Sequence, residues 1–415
     1  MAWRVLVVPA VAFVAACSPF GNGAFACTED SQCGAGGTCS SGYCAFADSS
    51  CASGERYGSL SGPSSGNCVG ATTSQDAPMT TDGNGPDAFM FEDARVPMDG
   101  TYCYGTGLAV ACFAAPPATP VTLTAAIDTG GAMCATNVID NPPWCVIAGS
   151  EVTVTGTVVA TGAKPLVLVA VDKVDVQGAL SVASTRGAAE VIGASADYAQ
   201  CDPGTLPTAG KGGGGAGGSF GGNGGDGGTG TNNAGAGTHG AMQTAMAMRG
   251  GCPGQDGDGN GGAPGHGGGA IALVAGATVS VEGSVNASGE GGAGGQHPSG
   301  GGGGAGAGGL IVLDAPTVTA TGSIFTNGGG GGEASGVTGN DGDNGNDPTV
   351  AGAAATTGGS SGGQGGAGGV GTTAAAPGGS VANHAGGGGG ASVGVIKLYQ
   401  ATSIGGGGTV SPPHD

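Results

Sequence analysis

A short alternating passage recurs along this chain and limits the folds that the chain can adopt. The passage AIALVAGATVSVEGSVNASGEGG begins at Ala270, and similar passages begin at Pro165, Gly309 and Val395. Each copy alternates apolar and polar residues around a turn glycine, which is the pattern of short, half-buried strands. A unit of about 22 residues cannot bury its own apolar face, so its copies must stack on one another.

Aligned without gaps, the four passages share five columns of residues. The columns are Leu166, Ile271, Leu310 and Ile396; Leu168, Leu273, Val312 and Leu398; Val174, Val279, Val318 and Ile404; Gly178, Gly283, Gly322 and Gly408; and Leu180, Val285, Ile324 and Val410. A partial copy precedes the first passage, with Val152, Gly156 and Val158 in the last three columns. The shared phase indicates that equivalent residues lie above one another in stacked rungs.

These columns predict a mainly β domain over residues 101–415, built as a right-handed parallel β-helix, or β-solenoid, of about five rungs. The rungs are expected near residues 144–162, 165–187, 270–292, 309–330 and 395–412. A β-sandwich of hairpins is the alternative, because short alternating strands also suit that fold. The matching phase of the copies favours the parallel solenoid.

Long glycine-rich insertions separate the rungs. Of the 415 residues 100 are glycine, and stretches such as GKGGGGAGGSFGGNGGDGGTG from Gly210 have low complexity. One interpretation is that the insertions are disordered loops. The other is that they form polyglycine II helices, which have three residues per turn and bond to one another through N–H···O and Cα–H···O contacts. The insertions are similar to Gly-rich adhesin lobes and to the glycine-rich surface repeats called PGRS.

The N-terminus has the features of an export signal. Arg4 precedes an apolar run from Val5 to Phe13, which is too short to span a bilayer as a stable helix. The following VAAC, which ends at Cys17, resembles the bacterial lipobox, where cleavage precedes a cysteine that becomes lipid-modified.

The lipobox resemblance implies a signal peptide at residues 1–16 and a lipid-anchored tether at 17–26, with Cys17 as the acylated N-terminus. Ser18 follows in place of an aspartate, which implies export to the outer membrane. Ordinary secretion, with cleavage after the AFA triplet that ends at Ala26, is the alternative.

Twelve further cysteines point to an oxidising compartment. An even number of cysteines in an exported chain predicts disulfides, up to six of them here. The candidates are Cys27, Cys33, Cys39, Cys44, Cys51, Cys68, Cys103, Cys112, Cys134, Cys145, Cys201 and Cys252. The last three consecutive pairs are expected to close local loops or to bracket the first insertion, whereas the pairing of the first six is left open.

Six of these cysteines lie in residues 27–69, which contain too few apolar residues to form a hydrophobic core, so that disulfides must replace it. Their C-x5-C-x5-C-x4-C spacing resembles the small Cys-rich modules near the N-terminus of bacterial surface lipoproteins, and loosely EGF-like modules. Residues 70–100 are expected to form a flexible acidic linker.

Charge excludes one class of partner. The net charge is −20, with only nine Lys and Arg residues, and such a polyanion repels phosphate backbones. Nucleic-acid binding is therefore not expected.

Catalytic residues are not evident in the sequence. Asp172, Asp175, Glu282 and Asp314 lie on the rungs, but they do not share a column. The histidines, His239 and His266 among them, are scattered through loops without carboxylates in phase. No catalytic residue and no cofactor is therefore predicted.

A weak calcium motif is the best ion-binding signal. Asp256, Asp258 and Asn260 match the start of a D-x-D-x-N-G loop, but Gly267 stands where a bidentate glutamate is expected. Solvated turn carboxylates are the alternative. The stretch GNDGDNGND, with Asp341 and Asp347, is acidic without a calcium pattern.

The order of lipobox, Cys-rich module and Gly-rich repeats resembles a family of largely uncharacterised bacterial surface lipoproteins. The resemblance implies a non-enzymatic outer-membrane lipoprotein, exposed at the cell surface, with a structural, adhesive or recognition role and a polysaccharide or protein ligand. A secreted β-helical polysaccharide-active enzyme and a calcium-dependent matrix-binding protein are the alternatives.

Overall fold

The structure, a computed structural model, describes residues 27–69 and 100–415. Shorter gaps in these ranges fall at 35, 50, 52, 59–60, 62–67, 135–136, 140, 211, 232–234, 337–338, 353–361 and 382–383. The chain divides into two compact units between Ala88 and Phe89. The predicted signal peptide, the tether with Cys17 and nearly all of the predicted linker lie outside the described residues. Within the described ranges, no helix has the length and apolar character needed to cross a bilayer.

Disulfides hold the first unit together. It has a 3-10 turn, Asp30–Cys33, and an antiparallel sheet of β1 (Gly37–Ser40), β2 (Tyr43–Ala47) and β3 (Glu55–Tyr57). The first cysteine pairs with the third, the second with the fourth and the fifth with the sixth, as Cys27–Cys39, Cys33–Cys44 and Cys51–Cys68. Its buried apolar cluster consists of Cys27, Cys33 and Cys44, so cross-links occupy the place of a core.

The second unit is mainly β, and its described residues contain no α-helix. Its strands are β4 (Tyr102–Tyr104), β5 (Ala111–Phe113), β6 (Val121–Leu123), β7 (Ile127–Asp128), β8 (Cys145–Val154), β9 (Thr157–Thr161), β10 (Leu166–Val176), β11 (Ala179–Ser181), β12 (Ala270–Ala275), β13 (Thr278–Val281), β14 (Ser284–Asn286), β15 (Leu310–Ala315), β16 (Thr317–Ala320), β17 (Ser323–Phe325), β18 (Val395–Gln400) and β19 (Thr409–Ser411).

These strands form two parallel sheets and one hairpin. The larger sheet contains β6, β8, β10, β12, β13, β15, β16 and β18, and the smaller contains β7, β9, β11, β14, β17 and β19. Every strand pair in the two sheets is parallel, whereas β4 and β5 form an antiparallel hairpin. The prediction of a mainly β, parallel domain is confirmed, and the hairpin sandwich is not what the chain forms.

Equivalent residues of the repeats pair in register in most columns. Val152, Val174, Val279 and Val318 follow one another across the larger sheet. Val158, Leu180, Val285, Ile324 and Val410 do so across the smaller sheet. The turn glycines also stack, because a Cβ on Gly178, Gly283, Gly322 or Gly408 would overlap the carbonyl oxygen of the equivalent glycine in the neighbouring copy.

The gapless alignment is wrong at the first strand of the third copy. Ile271 pairs with Ile311, not with Leu310, because that copy has one residue fewer between its first two strands. A shift of one residue exchanges the two faces of a strand. Ile311 and Leu313 therefore lie in the core between the sheets, with Val174 and Val285. Leu310 and Val312 lie on the opposite face.

The Gly-rich insertions pack on that opposite face of the larger sheet. There Phe220, Ala305 and Ala391 from the insertions join Val167 and Ala272 in a second apolar cluster. Small residues allow backbone to lie directly against the sheet.

The backbone hydrogen bonds of the insertions follow a period of three. Along residues 302–307, the amides of Gly302, Gly303 and Gly304 donate to Gly386, Ala293 and Gln255 over 2.9, 2.8 and 2.9 Å. The next three amides return to the same three neighbouring segments in the same order, at Gly389, Glu290 and Cys252. Residues 302–307 are therefore hydrogen-bonded and buried, and do not form an open loop.

Asp314 fixes the loop after β4. Its fully buried carboxylate accepts hydrogen bonds from the Thr106 and Gly107 amides, over 2.6 and 3.0 Å, and from the Gln400 side chain over 2.7 Å. We expect Asp314→Ala to lower the free energy of unfolding by about 2 kcal/mol, because it removes the buried, charged acceptor of these hydrogen bonds. Urea denaturation measures this. Asp172→Ala, at an exposed carboxylate on β10, is the control, and an equal loss in both variants would contradict the assignment.

Candidate functional site

Two of the three residues predicted to bind calcium form hydrogen bonds with backbone groups through their side chains. The two carboxylate oxygens of Asp258 accept hydrogen bonds from the amides of Gly210 and Gly212, over 3.1 and 2.7 Å. The Asn260 side chain donates to the His297 carbonyl over 3.3 Å, and Asp256 is exposed. Asp258 thus holds the start of the first insertion, and calcium binding at these residues stays a prediction.

The acidic stretch GNDGDNGND forms a ladder of side-chain acceptors. Asp341, Asn344 and Asp347 accept hydrogen bonds from the amides of His297, Gly294 and Gly291, over 2.8, 2.9 and 2.8 Å. Both sets of residues are spaced by three, the same period as the backbone bonds. These side chains therefore connect two neighbouring segments.

All twelve candidate cysteines after Cys17 are paired in the structure. In the second unit the bonds are Cys103–Cys112, Cys134–Cys145 and Cys201–Cys252. The first two close short loops near the beginning of the β domain, and the third links the two ends of the first insertion. Because all twelve sulfurs are in disulfides, none of these cysteines is a thiolate ligand for a metal ion.

A cluster of charged side chains lies at one end of the smaller sheet. Its members, called the His266 cluster below, are Arg186, Glu190, Asp197, His266 and Glu290. Arg186 follows β11 and Glu290 follows β14, and these two strands are paired, so the chain leaves both at the same edge. An antiparallel bridge between Thr185 and Val191 closes the turn that carries Arg186 and Glu190.

His266 is the centre of the cluster. Its Nδ1 is hydrogen-bonded to the Asp197 carboxylate, and its backbone amide donates to Glu290 Oε2 over 3.1 Å. Its Nε2 lies 3.9 Å from Glu190 Oε2. The Asp197 bond fixes the ring orientation and leaves Nε2 directed towards the carboxylate of the exposed turn.

Arg186 is fixed by two hydrogen bonds to main-chain carbonyls and one to the Asp347 carboxylate. Its Nε and Nη2 donate to the carbonyls of Gly291 and Pro264 over 2.8 and 2.7 Å, and its amide donates to Asp347 over 2.9 Å. Nη2 also lies 2.8 Å from Glu290 Oε1, although the two atoms are not aligned as a hydrogen bond. Oε1 is thus a buried carboxylate oxygen that accepts no hydrogen bond from the described residues.

Burial controls the protonation of Glu290. Its side chain is 0% exposed, and desolvation raises the pKa of this carboxyl to about 7, although the charges of Arg186 and His266 act in the opposite direction. The hydrogen bond to Asp197 raises the pKa of His266, against the effect of its own burial. The Glu290 carboxyl can therefore hold a proton near neutral pH.

The expectation that the histidines lack carboxylate partners is wrong for two of them. His266 bonds to Asp197, and His239 Nδ1 lies 2.7 Å from Asp226 Oδ1. Asp197 is 69 residues from His266, and only the folding of an insertion back onto the sheet brings them together. One signal was present in the sequence, since Arg186 and Glu290 follow equivalent strands of two aligned repeats.

The other charged residues on the rungs do not assemble into a site. Asp175 pairs with Lys173 over 3.2 Å, and Asp314 holds the loop after β4. In the described part of the chain, the His266 cluster is the group that combines an imidazole with several carboxylates. Compared with models of known protein families, with curated proteins and with solved structures, the chain gives no significant match.

Proposed function

We propose that this chain is a non-enzymatic lipoprotein of the cell envelope, anchored through Cys17, that displays a rigid Gly-rich body for adhesion or surface structure. The finer fold in this proposal is a right-handed parallel β-helix whose insertions are polyglycine II helices. The observation that supports this proposal is the three-residue period of backbone hydrogen bonds along residues 302–307. Polyglycine II has three residues per turn, so its successive amides face three neighbours in turn.

The use of polar side chains supports a structural role. Asp258, Asp314, Asp341 and Asp347 each accept hydrogen bonds from backbone amides. Glu333, which is buried, accepts from the amides of Asp343 and Gly362 over 3.0 and 2.9 Å. Carboxylates bonded to the backbone in this way hold chain segments in position, and their oxygens already accept hydrogen bonds from amides.

The disulfides support a location outside the cytoplasm. Six disulfides in one chain are typical of exported proteins, because cytosolic thiols are kept reduced. The lipobox at Cys17 supplies the anchor in this proposal. Exposed apolar side chains in the first insertion, at Leu206, Met242 and Met246, supply contact surface for adhesion.

Cell-surface localisation tests this proposal. We expect palmitate labelling and outer-membrane fractionation of the wild-type chain, and loss of both in Cys17→Ala. A deletion strain should lose attachment to its substratum and regain it with the wild-type gene but not with Cys17→Ala. Wild-type protein found unlabelled in the medium, or unchanged attachment of the deletion strain, would contradict the proposal.

A further inference from the structure

Glu190, His266 and Glu290 offer one imidazole nitrogen and two carboxylate oxygens that all lie within 4.8 Å of one another. Zinc is bound tetrahedrally, with bonds to nitrogen and oxygen of about 2.0–2.2 Å, so two ligands of one ion lie about 3.3–3.6 Å apart. The 3.9 Å between His266 Nε2 and Glu190 Oε2 is slightly longer than this separation. Glu190 is on an exposed turn, with 46% of its side chain accessible, and can move the remaining distance.

Two features beyond the grouping itself point to a cation. Glu290 Oε1 is buried and accepts no hydrogen bond from the described residues, so an ion would share this oxygen with the Arg186 guanidinium, whose Nη2 lies 2.8 Å away. His266 has Nδ1 bonded to the Asp197 carboxylate, the arrangement that orients metal-binding histidines and places Nε2 towards the ion.

The charge balance also favours a divalent ion. Glu190, Asp197 and Glu290 contribute three carboxyl groups, with Asp347 beside them, against the guanidinium of Arg186 and the imidazole of His266. Arg186 is held by the carbonyls of Gly291 and Pro264, so it can keep its position on the buried side of the cluster while an ion binds on the exposed side. His266 is 28% exposed, which leaves that side open to water.

We propose that Glu190, His266 and Glu290 bind a divalent transition-metal ion of the Zn²⁺ class, with Asp197 as the residue that positions His266. An imidazole with two carboxylates suits this class, whereas Ca²⁺ is bound by oxygen atoms. The ion joins the turn at residues 186–190 to the segments after β14 and before β12. This site does not depend on the proposed envelope role.

Isothermal titration calorimetry with ZnCl2 tests the site on the full, untagged, oxidised protein after treatment with a chelator. We expect one Zn²⁺ per chain, and binding weakened at least tenfold in Glu190→Gln, an exposed position whose replacement leaves the fold intact. Asp197→Asn should weaken binding by about 10–100-fold through loss of His266 orientation. His239→Gln, in the separate His239–Asp226 pair, is the matched control and should bind as the wild type does.

Three results of the Zn²⁺ titrations would overturn the proposal. These are no Zn²⁺ heat in the wild-type protein, equal affinity of Glu190→Gln and wild type, or an equal loss in His239→Gln. Ca²⁺ that bound as tightly as Zn²⁺ and equally required Glu190 would also overturn it, because imidazole is a poor calcium ligand. Visible absorption of the Co²⁺-loaded protein, altered in Glu190→Gln but not in His239→Gln, would be an independent result in its favour.

Discussion

Replacing Gly303 by alanine is expected to lower the free energy of unfolding of the second unit by about 3 kcal/mol or more. A Cβ at this position would overlap the carbonyl oxygen of Ala263, which belongs to a neighbouring backbone segment and not to a flexible side chain. The Gly303 amide, which donates to Ala293 over 2.8 Å, is kept in the variant. The loss of stability therefore measures only how closely the two backbone segments are packed. Urea denaturation of the oxidised protein records this loss.

Gly222→Ala is the matched control for this experiment. Gly222 is in another Gly-rich stretch, and a Cβ there would be 3.7 Å from the nearest atom, the Cβ of Ser392. Because alanine restricts the unfolded chain more than glycine does, we expect a change of no more than about 1 kcal/mol, in the stabilising direction. If both variants were equally stable, the insertions would not be packed as the structure has them.

Removing the Cys201–Cys252 disulfide is expected to cost about 4 kcal/mol, because a cross-link between residues 51 apart strongly restricts the unfolded chain. The double variant Cys201→Ala/Cys252→Ala makes this change. Hydrogen exchange should accelerate mainly in the insertion between the two cysteines, while β10 and β12 on either side of it stay protected.

Cys103→Ala/Cys112→Ala is the comparison for that disulfide. It opens a link between residues only 9 apart, for which the same chain-entropy relation gives a smaller loss of about 3 kcal/mol. Its exchange should change near the β4–β5 hairpin and not in the first insertion. Uniform loss of protection throughout the second unit in both double variants would contradict a local role for the Cys201–Cys252 link.

The sequence predicts the strands and their pairing well, because the alternation of apolar and polar side chains indicates which residues of each strand face the core. The columns through Val174 and through Leu180 pair in the structure as the alignment has them. The alignment fails at Leu310, where a turn shorter by one residue changes which face is buried. Pattern matching without gaps does not detect such a change, because Leu310, Ile311 and Val312 are all apolar.

The sequence does not predict the packing of the insertions. Glycine carries no side chain, so a polyglycine segment has no alternation from which its burial or its neighbours can be inferred. The His266 cluster was missed for a related reason, since Asp197 and His266 are in or beside insertions whose paths the pattern leaves open. Disulfide pairing in residues 27–69 also required the fold, because six cysteines permit fifteen pairings.

Amide hydrogen exchange at residues 302–309 tests most directly whether the Gly-rich insertions form a hydrogen-bonded body on the strand scaffold. These amides donate to neighbouring segments over 2.7–3.0 Å. We expect them to exchange as slowly as the amides of β12, since the two are buried against each other in the second apolar cluster. Exchange of residues 302–309 at the rate of an unfolded chain, with β12 still protected, would contradict the account.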